Sequence, residues 1–176
     1  MLCRMANWGN VLRQAAKIGL DLLSSSQRQK QRRGQPPAPG PAPRVQARPA
    51  PTAERADTIA YAPDLDGAAD PGEVVWAWVP FEENDGRGKD RPLLVIGRRG
   101  GELVGLMLSS QQDRSDDRDW ISVGTGAWDR EGRESFVRLD RVLEVGEHDI
   151  RRECAVLDRD RFERVAGELR GRFGWR

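Results

Sequence analysis

Histidine is nearly absent from this chain: His148 is the single one in 176 residues. That excludes a paired-histidine acid–base mechanism and any multi-histidine metal centre. Cysteine is almost as scarce, with Cys3 and Cys154 alone. There is therefore no disulfide framework and no cysteine-based zinc site. No apolar run approaches the ~18 residues of a membrane span. Arg13, Lys17 and Asp21 interrupt residues 8–23, so a secretory signal is not expected and the expected compartment is the cytoplasm. Glycine-rich phosphate loops after a strand, GxSxG and HExxH are missing too. Asp116 and Asp117 pair their carboxylates in a charged loop, where solvation is the simpler reading than a metal site. His148, in the polar stretch GEHDI, reads as a surface residue.

What is present is charge, unevenly spread. Basic residues number 29 and acidic ones 28. Residues 1–56 hold 10 basic and 2 acidic side chains, and residues 57–176 hold 19 and 26. A tail of net +8 precedes a body of net −7. Charged residues make up 32% of the chain and hydrophobic ones 38%, which places part of it outside any core.

Three segments follow. Residues 1–23 contain an amphipathic helix over 5–23, with Trp8, Val11, Leu12, Ala15, Ile18 and Leu22 on one stripe. Such a helix packs somewhere or frays or, as a weaker reading, touches a membrane surface or docks a partner. Met5 is a second candidate start. Residues 24–69 read as a basic, Pro-rich disordered linker, with seven of the eleven prolines between Pro36 and Pro51. Proline fixes φ and lacks a backbone donor, so this stretch does not suit a packed core. Residues 70–176 read as the folded domain.

Within that domain, alternation and β-branched runs predict strands over 72–81, 91–99, 102–110, 120–124 and 133–145. Gly100-Gly101 is a hairpin turn between the second and third of them. Asp158 caps a last helix whose stripe is Phe162, Val165, Ala166, Leu169 and Phe173. Five or six short strands and one terminal helix predict a mainly β, α+β fold, a small antiparallel barrel or strongly bent sheet.

The hairpin makes a chemical suggestion. Arg91 lies nine residues before the turn and Ser110 nine after it. Arg91 is thereby brought near Ser109 and Ser110. A guanidinium beside hydroxyls and the Gln111 carboxamide suits a phosphate, because arginine offers a planar fork of donors and a permanent charge. It also suits charge developing on phosphorus oxygens during displacement. The same residues fit a structural ion pair between Arg91 and a loop carboxylate.

The motifs themselves carry more. PGEVVWAWVPF at 71–81, a polar loop with glycines, KDRPLLVIG at 89–97, and LMLSSQ at 106–111 occur in order. VRLDRVLEV follows at 137–145. This series resembles the PemK/MazF family of toxin endoribonucleases, over about residues 70–172. The resemblance implies an SH3-like β-barrel with a C-terminal helix, acting as a homodimer. It implies sequence-selective, metal-independent cleavage of single-stranded RNA, with no cofactor. The ribose 2′-hydroxyl attacks the adjacent phosphate, leaving a 2′,3′-cyclic phosphate and a 5′-hydroxyl. RNA binding belongs to the same expectation, and DNA binding alongside it. The family's catalytic arginine falls on Arg91 and its catalytic hydroxyl on Ser109. Ser110 and Gln111 would hold the scissile phosphate or a neighbouring base. Asp140 and Arg141 would line the RNA groove. Arg87, Lys89 and Arg138 would complete a local positive strip. A cognate antitoxin with an acidic segment would fill that groove.

Two features depart from the family pattern. Both hydroxyls are serine where the family has threonine, which loses χ1 stiffness. The loop over 82–90 and the body as a whole are acidic, whereas nucleic-acid sites are basic. These favour the alternative reading, a catalytically inactive barrel that binds protein or nucleic acid. The two readings separate on geometry. An enzyme needs Arg91 and Ser109 in an open groove edged by Arg87 or Arg141. A binding module would have Arg91 locked by Asp90 or Asp140.

Overall fold

Leu93, Leu94, Val95 and Ile96 are each no more than 1% exposed. A strand buried on both sides needs packing on both faces of its sheet. The computed structural model, which describes residues 46–64, 66–83 and 85–176, shows how this is met. The expected helix at 5–23 and the linker up to residue 45 lie outside the described residues.

Among the described residues seven strands run in chain order: β1 (Arg48–Pro51), β2 (Glu73–Pro80), β3 (Gly88–Arg99), β4 (Glu102–Ser109), β5 (Trp120–Gly124), β6 (Ser135–Gly146) and β7 (Ile150–Val156). The α-helix α1 (Arg159–Phe173) closes the series. All strand pairs are antiparallel, in the order β1-β6-β4-β3-β2-β7, with β5 also on β6. The fold is mainly β and of α+β class. Among the described residues no ladder joins β7 to β1 or β5.

Period-two alternation sorts the apolar side chains into two cores. Val74, Leu94, Ile96, Leu106 and Leu108 pack with the buried face of α1. Val75, Ala77, Val79, Leu93, Val95 and Leu103 pack on the opposite face. The stripe on α1 supplies Phe162, Val165, Ala166 and Leu169, all fully buried. Burial of the two larger ones contributes roughly 1.5–3 kcal/mol each. Asp158 caps the helix by accepting from Arg161 N at 3.0 Å. Gly174, at φ 75°, ends it in the left-handed conformation that favours glycine.

Two elements correct the sequence reading. Residues 46–64 and 66–69, assigned there to a disordered linker, pack against the domain. β1 adds to the edge of β6, and Ala47, Ile59 and Ala69 are buried. Pro49 and Pro51 are tolerated because β1 is an edge strand. This segment also holds the C-terminus: Trp175 Nε1 donates to Thr52 O at 3.3 Å, and Arg176 N to Asp57 O at 3.0 Å. The second correction is β7, hidden in the polar sequence IRRECAV. It pairs with β2 across a bulge containing Cys154 at φ 55°. His148 lies on the surface, in a short turn of 3₁₀ helix before β7.

Candidate nucleic-acid interface

Arg91, Ser109 and Met107 share the parity of Leu93, Val95 and Leu103. They therefore extend the second apolar face to its polar end. A bulge at Ile96 decides the pairing. Near the turn Arg99 lies opposite Glu102, whereas beyond the bulge Leu93 lies opposite Met107. Continued two residues, that register sets Arg91 against Ser109. Counting from the turn sets it against Ser110, and one bulged residue makes the difference.

β6 bends at the same level. Four residues, Arg138 to Arg141, lie opposite the single Met107 of β4. Here the outer partner of β6 changes from β5 to β1. The excess chain turns Arg138 and Arg141 into a cavity of about 760 Å³. Arg91, Ser109, Gln111, Arg87, Arg114 and Trp120 also line it. A second cavity of about 740 Å³ takes in Lys89, Ser110, Trp76 and Arg151. Arg91, Ser109 and Gln111 line both cavities, so they form the sill between them.

Ser109 is buried at 7% exposure. Its Oγ accepts from Gln111 N at 3.3 Å, leaving the hydroxyl proton available. The Arg91 side chain is half-buried and has no hydrogen bond or ion pair among the described residues. Burial, then the like charge of Arg114, pushes its guanidinium below the ordinary arginine value. A partly desolvated cation without a counter-ion is poised for an anion. Asp90 instead pairs with Arg151 at 3.2 Å, and Asp140 with Arg138. Neither locks Arg91, and Arg87 and Arg141 edge the cavity it faces.

Other expected residues are placed differently. Asp140 lines neither cavity. It stands behind Arg138, accepting Nε at 2.7 Å and Nη2 at 3.2 Å. Arg138 also donates from Nη1 to Glu82 Oε1 at 2.6 Å, and Arg141 Nη1 lies 3.4 Å from the same oxygen. These carboxylates hold the Arg138 guanidinium well above its ordinary value, the Asp140 hydrogen bond foremost. Arg87 is held by Asp85, Nε to Oδ2 at 2.6 Å. Lys89 is exposed and belongs to the second cavity only. Ser110 likewise lines only the second.

The sequence reading overlooked Arg114 and Trp120. The guanidinium of Arg114 lies 4.9 Å from the Trp120 ring centroid, and that of Arg138 5.9 Å from it. The charged run at 112–119 reads as a solvated loop. The available signal was an arginine six residues before a strand-opening tryptophan.

Comparison with known proteins agrees with the motif series. No curated protein matches the chain. A family model does match, over residues 70–172, more than half of the chain. The chain belongs to the PemK-like, MazF-like toxins of type II toxin–antitoxin systems.

Proposed function

We propose that this protein is a metal-independent, sequence-selective endoribonuclease acting on single-stranded RNA. Family membership points to a toxin endoribonuclease. The observation that carries the finer reading is Arg91, an unpaired guanidinium beside the Ser109 hydroxyl on the sill between two cavities. An RNA strand lying across the sill would set one phosphate on Arg91 and Ser109, with flanking nucleotides on either side. The 2′-oxygen attacks phosphorus and loses its proton to a base. The bond to the 5′-oxygen breaks, and that oxygen gains a proton. The products are a 2′,3′-cyclic phosphate and a 5′-hydroxyl. Arg91 stabilises the charge that builds on the non-bridging oxygens. Ser109 donates its hydroxyl to the same phosphate. Gln111 and Ser110 hold it or the adjoining base. Arg138, aligned by Asp140, Arg141 and Arg87 bind the strand in the first cavity, and Lys89 adds charge in the second.

In this reading the domain works as a homodimer with an SH3-like barrel core. An acidic, partly disordered antitoxin segment competes with RNA for the same arginines. Described residues before the family domain, β1 and the buried Ala47, Ile59 and Ala69 among them, pack with it. No helix among the described residues is long and apolar enough to cross a membrane.

One observation favours the second reading, an inactive binding module: Arg87, Arg138 and Arg141 already face carboxylates. Incubation of a long single-stranded RNA with the protein and EDTA separates the two. Discrete fragments with 5′-hydroxyl ends support the nuclease. Intact RNA beside folded protein supports the module.

A further inference from the structure

Arg114 has no place in the residue set drawn from the motifs, yet it lies in the same cavity wall as Arg91 and Ser109. It comes from a short 3₁₀ turn, Gln112–Asp116, beyond the end of β4. Two contacts fix it. Its guanidinium stacks 4.9 Å from the Trp120 ring centroid, where the ring's negative face attracts the cation. Its Nη2 donates to Gln111 Oε1 at 3.3 Å. Asp113, the nearest carboxylate, lies 3.8 Å from Nε and is itself largely exposed. That spacing is too long for a hydrogen bond, and Nε is buried with no acceptor. The charge of Arg114 is thus poorly neutralised, and it is felt at Arg91. Two guanidinium groups lining one cavity, with no carboxylate bridging them among the described residues, repel each other. An anion between them removes that repulsion and supplies acceptors for both.

We propose that Arg114 is the second arm of a phosphate clamp, binding the RNA backbone together with Arg91 and positioning Gln111 beside it. This rests on reading the groove as an RNA site. Trp120 holds the arm rigid, so little side-chain entropy is lost when the phosphate arrives.

The test is binding of an RNA whose riboses are all 2′-O-methylated, so that no 2′-hydroxyl can attack. Affinity is measured across a series of NaCl concentrations for wild type, Arg114→Gln and Arg114→Lys. Each phosphate contact to a single strand contributes ~0.7 to the slope of log affinity against log salt. Arg114→Gln is expected to lower that slope by ~0.7 and to weaken binding. Arg114→Lys keeps the charge and is expected to keep the slope. A loosened turn would weaken binding without that difference between Gln and Lys. A Gln variant with the wild-type slope overturns the proposal, as does a wild type that does not bind this RNA. Wild-type binding with the expected slopes, beside unmodified RNA that stays intact, would leave the clamp standing and remove the nuclease.

Discussion

Glu82 Oε1 lies 2.6 Å from Nη1 of Arg138, so an acidic residue of the β2–β3 loop already sits on a cation of the first cavity. The same oxygen lies 3.4 Å from Arg141. The hydrogen bond and charge of Arg138 hold the Glu82 carboxyl below its ordinary value. Glu82 therefore stays ionised at neutral pH and competes with any incoming phosphate. Its side chain is 62% exposed, so the contact is weak and displaceable, about 0.2–1 kcal/mol. Glu82→Gln is predicted to tighten binding of uncleavable single-stranded RNA by up to about five-fold. Fluorescence anisotropy at fixed salt measures it. Unchanged affinity would mean that Glu82 does not compete.

Ser109 offers a second prediction. Ser109→Ala removes the hydroxyl and leaves the Arg91 charge in place. RNA cleavage is expected to fall by about 10²–10³-fold, the typical loss of one aligned transition-state donor. Ser109→Thr keeps the hydroxyl and stiffens χ1, and is expected to retain activity. Single-turnover cleavage rates of the two variants decide it. Comparable losses in both would mean that packing, not the hydroxyl, matters there.

A third prediction concerns stability. Glu73 is 2% exposed, and Arg152 Nη2 donates to its Oε2 at 2.8 Å. The pair ties β2 to β7. Arg152→Ala strands a buried carboxylate and is predicted to cost about 3–5 kcal/mol. Replacing both partners with apolar residues should cost much less. Urea unfolding of the single and double variants checks both statements.

The fourth is a pH dependence. Glu147 accepts from the backbone N of Ala69 at 2.7 Å and pairs with Arg98, which in turn donates to Ala69 O at 2.9 Å. The Arg98 hydrogen bond is the main cause that lowers the Glu147 carboxyl from 4.5. A carboxyl lowered in the folded state binds fewer protons there than in the unfolded chain. Its stabilisation is complete above the unfolded value and is lost as pH falls through the folded one. Wild type is predicted to exceed Glu147→Gln in stability by a constant margin above about pH 5, closing below pH ~4.5. Denaturant midpoints measured from neutral to acidic pH follow the margin. A margin that persists in acid would show that the charge is not its source.

How far the sequence alone reached varies by element, for physical reasons. β2, β3 and β4 were legible because Val, Leu and Ile alternate or run continuously where both sheet faces are covered. α1 was legible from its stripe and its Asp158 cap. β7 was not, because Arg151, Arg152 and Glu153 make it read as a loop. Its charges are met by Glu73 on β2 beside it and Asp90 on β3 beyond, a pairing that sequence order conceals. β1 was masked by its own prolines, which an edge strand accepts. At the site, hairpin counting brought Arg91 to the Ser109–Ser110 pair. The bulge at Ile96 selects Ser109, and no composition signal marks a bulge. Asp140 was read as part of the groove wall. The bend in β6 instead presents Arg138 and leaves Asp140 behind it.

The role of Arg91 is read most plainly from cleavage of a long single-stranded RNA in EDTA, wild type beside Arg91→Ala. Wild type is expected to give discrete fragments with 5′-hydroxyl and 2′,3′-cyclic phosphate ends. Arg91→Ala, still folded, is expected to form them about 10²-fold or more slowly. Wild-type protein that leaves the RNA intact, or an Arg91→Ala variant that cuts at the wild-type rate, would contradict that role.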